Sequence, residues 1–480
     1  MAALIALITL SIFSLIALYL VFTSATSVRI SDNYESEVQA SYAAKAGLNH
    51  TRDILEGLNF NDLLKGPDGT YDSGASYMAQ GRTFSFRNLM SWATARSLNV
   101  LDPTSDLSAI PDDGLVNTGK LGGTNGTVLI PLTGIAQTAS NPYGSGTITT
   151  SRYFVKVSDN NGEATELAGD ASDNPFFDGD SVIIVRSIGV AQTVREFVAG
   201  TIRRNSVAVV ESRFRRRQTF ALDAPLVVQG DSIAPSASNM FNGNSFSLDG
   251  GGSNYGIATI DTNTSDGTTP TSSVMSNLDP NQYDNITGNG IEPSVSDITA
   301  TVGADQDKSL LLSQEYLYNF AFNVVPAFAD AVYQGDQSWS GGSAPDMGFM
   351  DGTLPYNDPS QRPKTIFVNG DLNVSGDISG GGILVVTGKF SGSGHFHYDG
   401  IILVIGEGDC DLSGLNYGIY GGLYVVNVQN VGGVISFGTP KLTVSGNSEI
   451  TMNSANIMMG INMLPAAQLS WREIHSDTDP

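Results

Sequence analysis

The sequence is poor in the side chains that build catalytic and covalently stabilised sites. Its 480 residues include one cysteine and four histidines. Cys410 has no second cysteine for an intramolecular disulfide, and a cysteine-based zinc site is excluded. Lys and Arg are also scarce, at 24 against 48 Asp and Glu, which leaves a formal net charge of -24. Binding to nucleic acid through bulk charge is therefore disfavoured, and we expect neither enzymatic activity nor a bound organic cofactor.

Charged residues of both signs make up only 15% of the chain, whereas it contains 54 Gly and 19 Pro. A helical bundle would need many more charged helix formers on its surface. The composition is typical of a loop-rich, mostly β protein that works outside the cell.

The first 28 residues carry no charged side chain, and Arg29 is the first charge. At 1.5 Å per residue the apolar run 1–22 forms a helix of roughly 33 Å, enough to cross a bilayer. The run starts without the basic segment of a secretory signal, so we expect Met1 to be a mature N-terminus left by removal of a basic leader. Apolar and charged residues then alternate at helical spacing as far as about residue 58, which predicts one continuous helix. A plain membrane anchor with a stalk is the alternative interpretation.

The segment AALIALITLSIFSLIALYL and the stretch SEVQASYAAKAGLNHTRDIL at 36–55 resemble type IV pilins, in particular the PilX-type pilus-assembly proteins. The most specific feature is the run of small residues Ala40, Ala43, Ala44, Ala46 and Gly47. The resemblance covers residues 1–58. It implies cleavage by prepilin peptidase, N-methylation, and burial of the helix in a filament core. The positions it assigns to polymerisation and membrane insertion are Met1, Ile5, Leu10, Ile16 and Leu20.

Position 5 departs from the family, because most pilins have Glu there and this chain has Ile5. Minor pseudopilins at filament tips share that absence. The resemblance therefore implies a structural subunit of an extracellular filament, anchored in the inner membrane before assembly, with a minor or tip subunit acting as adhesin or assembly primer as the alternative. The implied partners are further copies of the chain, the pilus assembly machinery and prepilin peptidase.

The rest of the chain predicts an α+β fold in which the long helix carries a β-rich head. Alternating β-branched runs at 153–159, 181–191, 195–202 and 206–214 predict an antiparallel sheet packed on the second half of the helix. A second helix is expected at 86–98 and a strand at 127–136. The first predicted division is the pilin-type helix 1–58, whose residues 1–28 form the membrane or filament-core segment. A head follows at 59–217, and then acidic loops at 218–362 with a helix at 310–333. A repetitive module at 363–470 and a tail at 471–480 complete the chain.

The repetitive module is marked by glycines at six-residue spacing, at 370, 376, 382, 388, 394, 400 and 406. Four residues before each glycine lies an apolar side chain, and five of the seven positions two residues before are also large and apolar. Short strands with one inward face separated by glycine turns indicate stacked coils, as in a parallel β-helix or solenoid. A meander of glycine-rich hairpins is the alternative.

Six arginines lie close together in an otherwise acidic chain, at Arg203, Arg204, Arg213, Arg215, Arg216 and Arg217, and the following residues 218–307 contain eleven acids and no Lys or Arg. These arginines are candidates for contacts between heads, or for packing on acidic surface of their own head. The lack of interleaved aromatic residues argues against a nucleic-acid site.

Oxygen-rich loops offer a calcium site at Asp170, Asp173, Asp178 and Asp180, although turn chemistry alone explains aspartate there. The sequons at Asn125, Asn263 and Asn285 permit glycosylation. His395, His397 and Asp399 alternate along one strand and are interpreted as an exposed polar face.

Overall fold

The computed structural model describes residues 2–55, 60, 135–140, 147–159, 181–192, 205–351, 360–415 and 418–474. The chain divides into two compact units. The helix–sheet unit comprises Met1–Leu55, Phe60–Arg215 and Ala467–Pro480, and the parallel-strand unit comprises Glu56–Asn59 and Arg216–Ala466. The helix predicted at 86–98, most of the strand predicted at 127–136 and the run 195–202 lie outside the described residues.

One long helix opens the helix–sheet unit, α1 at Ala2–Ile54. Its 53 residues correspond to about 80 Å of helix. The stretch Ala2–Arg52 is long and apolar enough to cross a membrane. The sequence forms a helix here because it contains neither proline nor an interior glycine before Gly47.

An antiparallel sheet of five strands packs on this helix. In their order across the sheet, the strands are β1 (Ile135–Ser140), β2 (Thr147–Asp159), β3 (Val182–Ala191), β4 (Ser206–Arg215) and β24 (Ala467–Ile474). The three runs predicted at 153–159, 181–191 and 206–214 all form strands. The last strand corrects the predicted tail at 471–480, because residues up to Ile474 pair with β4. No local pattern reveals this pairing, since the two strands are some 250 residues apart in sequence.

The parallel-strand unit is built from two sheets in which neighbouring strands run parallel, apart from one hairpin between the strands at 418–431 and 434–437. The first sheet contains β5 (Leu226–Gly230), β8 (Ser247–Asp249), β9 (Ile257–Asp261), β10 (Ile286–Thr287), β11 (Val295–Asp297), β12 (Ala331–Gln334), β14 (Lys364–Asn369), β16 (Ile378–Val386), β18 (Phe396–Gly406), β20 (Gly418–Val431), β21 (Val434–Phe437) and β23 (Glu449–Met452). The second contains β6 (Ala234–Pro235), β7 (Phe241–Asn242), β13 (Gln337–Ser340), β15 (Leu372–Ser375), β17 (Lys389–Gly394), β19 (Asp409–Leu415) and β22 (Lys441–Ser445).

The glycine spacing of six matches one third of the repeat between paired strands. Lys364 pairs with Gly382, Ile378 with Phe396 and Leu372 with Phe390, each 18 residues further along the chain. The apolar residues four positions before the glycines, from Ile366 to Ile402, all lie in one buried cluster. These pairs of strands run parallel, whereas a meander of glycine-rich hairpins would pair its strands antiparallel.

Residues 218–362 differ from the acidic loops predicted there. The segments 226–261 and 286–297 supply strands to the same parallel sheets, where β5 pairs with β20 and β8 with β23, and 331–340 supplies β12 and β13 at the opposite end of the strand order. These strands are mostly two to five residues long and lack the glycine spacing, so their period is not visible in the sequence.

Short helices accompany the sheets: α2 (Pro270–Ser276), α3 (Thr299–Ala304), α4 (Gln314–Asn319), α5 (Val325–Phe328) and α6 (Ser454–Asn462). The helix predicted at 310–333 is corrected. The segment is not one regular helix: a 3-10 turn at Lys308–Leu312 precedes α4, and a π-turn at Phe320–Val324 separates α4 from α5. The helical segment ends with α5 at Phe328. Pro326 cannot continue a regular helix, and Asp330 exchanges bonds with the backbone of Thr365, which draws the chain into β12.

Candidate functional site

The first half of α1 presents apolar side chains on every side. All of residues 2–27 are exposed, and the first buried residue of the helix is Ser36. The positions assigned to polymerisation are exposed as well: Ile5 is 60% exposed, Leu10 69%, Ile16 48% and Leu20 59%. Met1 lies outside the described residues. A helix that is hydrophobic all round is stable only when something apolar covers it, either lipid or other protein.

Five of the eight hydroxyl-bearing residues at 2–27 bond to the helix itself. Thr9, Ser11, Thr23, Thr26 and Ser27 each donate to the carbonyl oxygen four residues earlier, at 2.6–3.0 Å. Such internal bonds remove the need for water around these hydroxyls. The segment is therefore suited to a dry environment.

The second half of α1 forms a close seam with the sheet. Ala40, Ala43 and Ala44 are fully buried. Facing them is Gly189 of β3, where an added Cβ atom would lie 2.5 Å from the backbone nitrogen of Ala44 and closer still to the carbonyl oxygen of Ala40. One turn further on, a Cβ on Gly47 would lie 2.7 Å from Cδ2 of Tyr153. The run of small residues thus serves to bring helix and sheet backbones together within one subunit.

Polar contacts fix the register of this seam. The hydroxyls of Ser36 and Ser206 are 2.7 Å apart, and Nδ1 of His50 lies 2.9 Å from the hydroxyl of Tyr153. Burial raises the pKa of Tyr153. The phenol therefore stays neutral at ordinary pH and can both accept and donate a hydrogen bond.

An ion cluster around the buried Glu211 ties the last strand to the sheet, and sequence reasoning missed it. Arg186, Glu211 and Arg472 lie directly opposite one another on β3, β4 and β24. Nη2 of Arg186 donates to Oε2 of Glu211 at 2.8 Å, and Nε of Arg472 donates to Oε1 at 2.9 Å. Trp471 of the same last strand contacts α1, because its ring centroid lies 5.5 Å from the ammonium of Lys45. An acid between two bases on strands distant in sequence gives no local signal.

The structure places the six candidate arginines in different surroundings. Arg203 and Arg204 lie outside the described residues. Arg213 and Arg217 are exposed and Arg215 is half-buried. Arg216 is only 3% exposed, with Nε donating to the carbonyl oxygen of Leu464 at 3.1 Å and Nη1 donating to Oδ1 of Asn462 at 3.2 Å. Arg216 thus holds its own unit together, and its assignment as a contact between heads is corrected.

The calcium candidates Asp170, Asp173, Asp178 and Asp180 lie outside the described residues. Within the portion of the chain that the structure does describe, no group of three or more His, Cys, Asp or Glu could hold a metal ion. His395 and His397 are separately engaged, with Nδ1 of His395 2.9 Å from Oδ1 of Asp377 and Nε2 of His397 2.7 Å from Oδ2 of Asp399.

Of the glycosylation candidates, Asn125 lies outside the described residues and Asn263 is exposed. Nδ2 of Asn263 donates to Oδ2 of Asp266 at 2.9 Å. Asn285 is corrected, because its Nδ2 atom is buried. A glycan is attached through that nitrogen, so its burial disfavours a glycan at Asn285.

No protein-family profile and no curated protein matches this chain. Among solved structures, the competence-associated pilin ComZ from Thermus thermophilus aligns over 92% of this chain and 97% of its own, with 11% sequence identity and a TM-score of 0.20. A similarity at that TM-score carries no argument about fold or function.

Proposed function

We propose that this protein is a structural subunit of an extracellular type IV pilus-like filament and polymerises through the first half of α1. The observation that carries the proposal is the helix itself. It is apolar on all sides and exposed over residues 2–27, and then forms a close small-residue seam with a β-sheet. Apolar surface removed from water stabilises by about 25 cal/mol per Å², so association of such helices is strongly favoured over exposure.

The same surface serves two locations in this proposal. Before assembly residues 2–27 cross the inner membrane, and after assembly they are covered by the α1 helices of neighbouring copies. Exchange of lipid for another apolar helix changes the apolar exposure little. The assembly machinery and prepilin peptidase are the further partners of the proposal, and the protein itself has no catalytic role.

A minor or tip subunit is the second candidate, favoured by Ile5. This residue is apolar and 60% exposed, where the pilins that the sequence resembles have an acid. A tip subunit would work as an adhesin or assembly primer. The stoichiometry of the chain in purified filaments separates the candidates, since a major subunit is present throughout the filament and a tip subunit once per end.

We also propose that the parallel-strand unit is a β-helical module. Its support is the parallel pairing at 18-residue offsets together with the shared buried cluster of the strand interiors. Amide hydrogen exchange should be slowest in β16 and β18, which have paired strands on both sides. Fast exchange throughout both strands would contradict the module.

Deletion of residues 1–28 tests the filament proposal. The shortened variant should be monomeric in buffer without detergent and form no filaments in negative-stain micrographs, because the apolar surface is gone while the seam from Ser36 onward remains. Near-UV circular dichroism serves as the folding control. Filaments formed by a folded variant without residues 1–28 would contradict the proposal.

A further inference from the structure

A cavity of about 490 Å³ lies along one edge of the parallel-strand unit. Its lining comes from the turns of five neighbouring coils and from one helical segment. Its lining side chains include Tyr318, Phe322, Asp336, Asp371, Glu407 and Gln429. Strands in a sheet are about 4.8 Å apart, so the four steps between five coils extend over about 19 Å. The cavity therefore suits an extended ligand.

Three glycines of successive turns, Gly370, Gly388 and Gly406, belong to the lining of this cavity. Gly370 and Gly406 have φ values of +149° and +150°. A Cβ on Gly406 would overlap the carbonyl oxygen of Thr387, and one on Gly370 would lie 2.7 Å from the carbonyl carbon of Gly335. These glycines thus allow successive turns to stack closely along the cavity.

One wall supplies an aromatic pair. Tyr318 and Phe322 are four residues apart, half-buried, and stacked with ring centroids 4.5 Å apart at an interplanar angle of 28°. Flat apolar faces of this kind pack against the C–H faces of sugar rings. Pockets with aromatic walls and a few placed polar groups are typical of small-molecule sites.

The polar side chains that line the cavity are carboxylates, amides and hydroxyls. Asp336 and Asp371 each use Oδ1 to accept a backbone N–H of the next coil, from Asp371 at 3.0 Å and Lys389 at 2.8 Å. Among the described residues, the exposed side chains of Glu407 and Gln429 have no hydrogen-bond partner. No lysine or arginine lines the cavity in the described stretches of the chain, so an acidic ligand would meet carboxylates and no cationic side chain of the lining.

We propose that this cavity binds an extended, hydroxyl-rich oligosaccharide that carries no acidic groups. The aromatic pair packs against a sugar ring, and the carboxylates and the Gln429 amide bond the hydroxyl or amino groups. This inference does not depend on the filament proposal, because binding can be measured on chains that are not assembled.

We would test this proposal by calorimetry on the full chain, kept in a zwitterionic detergent without a sugar headgroup. The probes are cellohexaose, the chitosan hexamer and hexagalacturonate. The two probes without acidic groups should bind, and hexagalacturonate should not. Phe322→Ala should weaken binding about tenfold, in line with the loss of one aromatic contact. Phe349→Ala, at a 44% exposed phenylalanine outside the cavity lining, is the matched control and should bind as the unaltered chain does.

Glu407→Gln removes a charge and keeps the shape of the side chain. The variant should therefore bind the chitosan hexamer more weakly and bind cellohexaose with unchanged affinity. Gln429→Ala, at an exposed position, provides a second binding test if Phe322→Ala lowers the melting temperature. The proposal is overturned if neither cellohexaose nor the chitosan hexamer binds at millimolar concentration, or if hexagalacturonate binds best. It is also overturned if Phe322→Ala, Gln429→Ala and the control variant all bind with the same affinity. Displacement of a bound hexamer by oligolysine but not by cellohexaose would instead assign the cavity to basic peptides and contradict it.

Discussion

Gly189 and Ala40 approach so closely that a Cβ atom on the glycine would overlap the alanine carbonyl oxygen. The contact joins the middle of β3 to α1, where Ala40 is fully buried. Small residues on both sides therefore set the distance between helix and sheet. The apolar half of α1 ends about a dozen residues before this seam, so the seam is where α1 first packs closely on the sheet.

Gly189→Ala should destabilise the helix–sheet unit by about 1–3 kcal/mol, the usual cost of overpacking a close-packed site. The backbone of Ala40 and Ala44 cannot move aside as a flexible side chain would. Chemical denaturation followed by circular dichroism measures the change. Gly342→Ala is the control, because nothing lies within 4 Å of the atom added there; equal stability of the two variants would show that the seam is loose.

Arg216→Met should lower the free energy of unfolding by about 1–3 kcal/mol, because the carbonyl oxygen of Leu464 and Oδ1 of Asn462 lose their donor in a buried place. Arg217→Met, at the exposed neighbour, should change stability by less than about 0.5 kcal/mol. Denaturant titration of the two variants checks this pair. If Arg217→Met is the more damaging change, the structural role of Arg216 is wrong.

The sequence predicts elements well where one local period decides them. The uncharged run and the small residues of α1, the alternating strands β2 to β4, and the apolar positions between Ile366 and Ile402 all follow from spacing alone. The antiparallel sheet predicted against the second half of α1 is confirmed by the seam at Gly189.

Other features depend on partners that no local window contains. β24 pairs with β4 although the whole parallel-strand unit separates them in sequence, and the Arg186–Glu211–Arg472 cluster is complete only once β24 lies beside β4. The helix predicted as far as residue 333 ends early because Asp330 bonds the backbone of Thr365. Arg216 resembles its exposed neighbours in sequence and differs only through burial.

His397 should give the parallel-strand unit a contribution to stability that depends on pH. The hydrogen bond to Asp399 raises the pKa of His397 against the opposing effect of burial, with a smaller contribution from Glu449. A raised folded pKa means that the contribution is fully present below the unfolded value of about 6.5 and is lost as pH rises through the folded pKa.

Asp399→Asn keeps an acceptor for Asn456 but removes the negative charge beside His397. The ring protons of His397, followed by NMR, should therefore titrate at lower pH in this variant than in the unaltered chain. An unchanged His397 titration would show that Asp399 does not stabilise the imidazolium.

Cys410 should be inert to thiol reagents in the folded protein. It is fully buried, and burial, aided by Asp409 and Asp411, raises the pKa of its thiol well above the ordinary value. The reactive thiolate is therefore almost absent. Alkylation followed by mass spectrometry should show no label in native buffer and one label per chain in guanidinium; rapid labelling of the native chain would mean that β19 opens readily.

The most direct test of the central claim is the number of filaments formed by chains altered at Leu10, a position 69% exposed on the apolar half of α1. Leu10→Asp should abolish filaments, because an unpaired charge in a dry helical core costs several kcal/mol, while Leu10→Met keeps the apolar surface and should assemble normally. Counts from negative-stain micrographs at matched expression decide between the outcomes. The account predicts filaments for Leu10→Met and none for Leu10→Asp, and filaments of normal number and length from Leu10→Asp would contradict it.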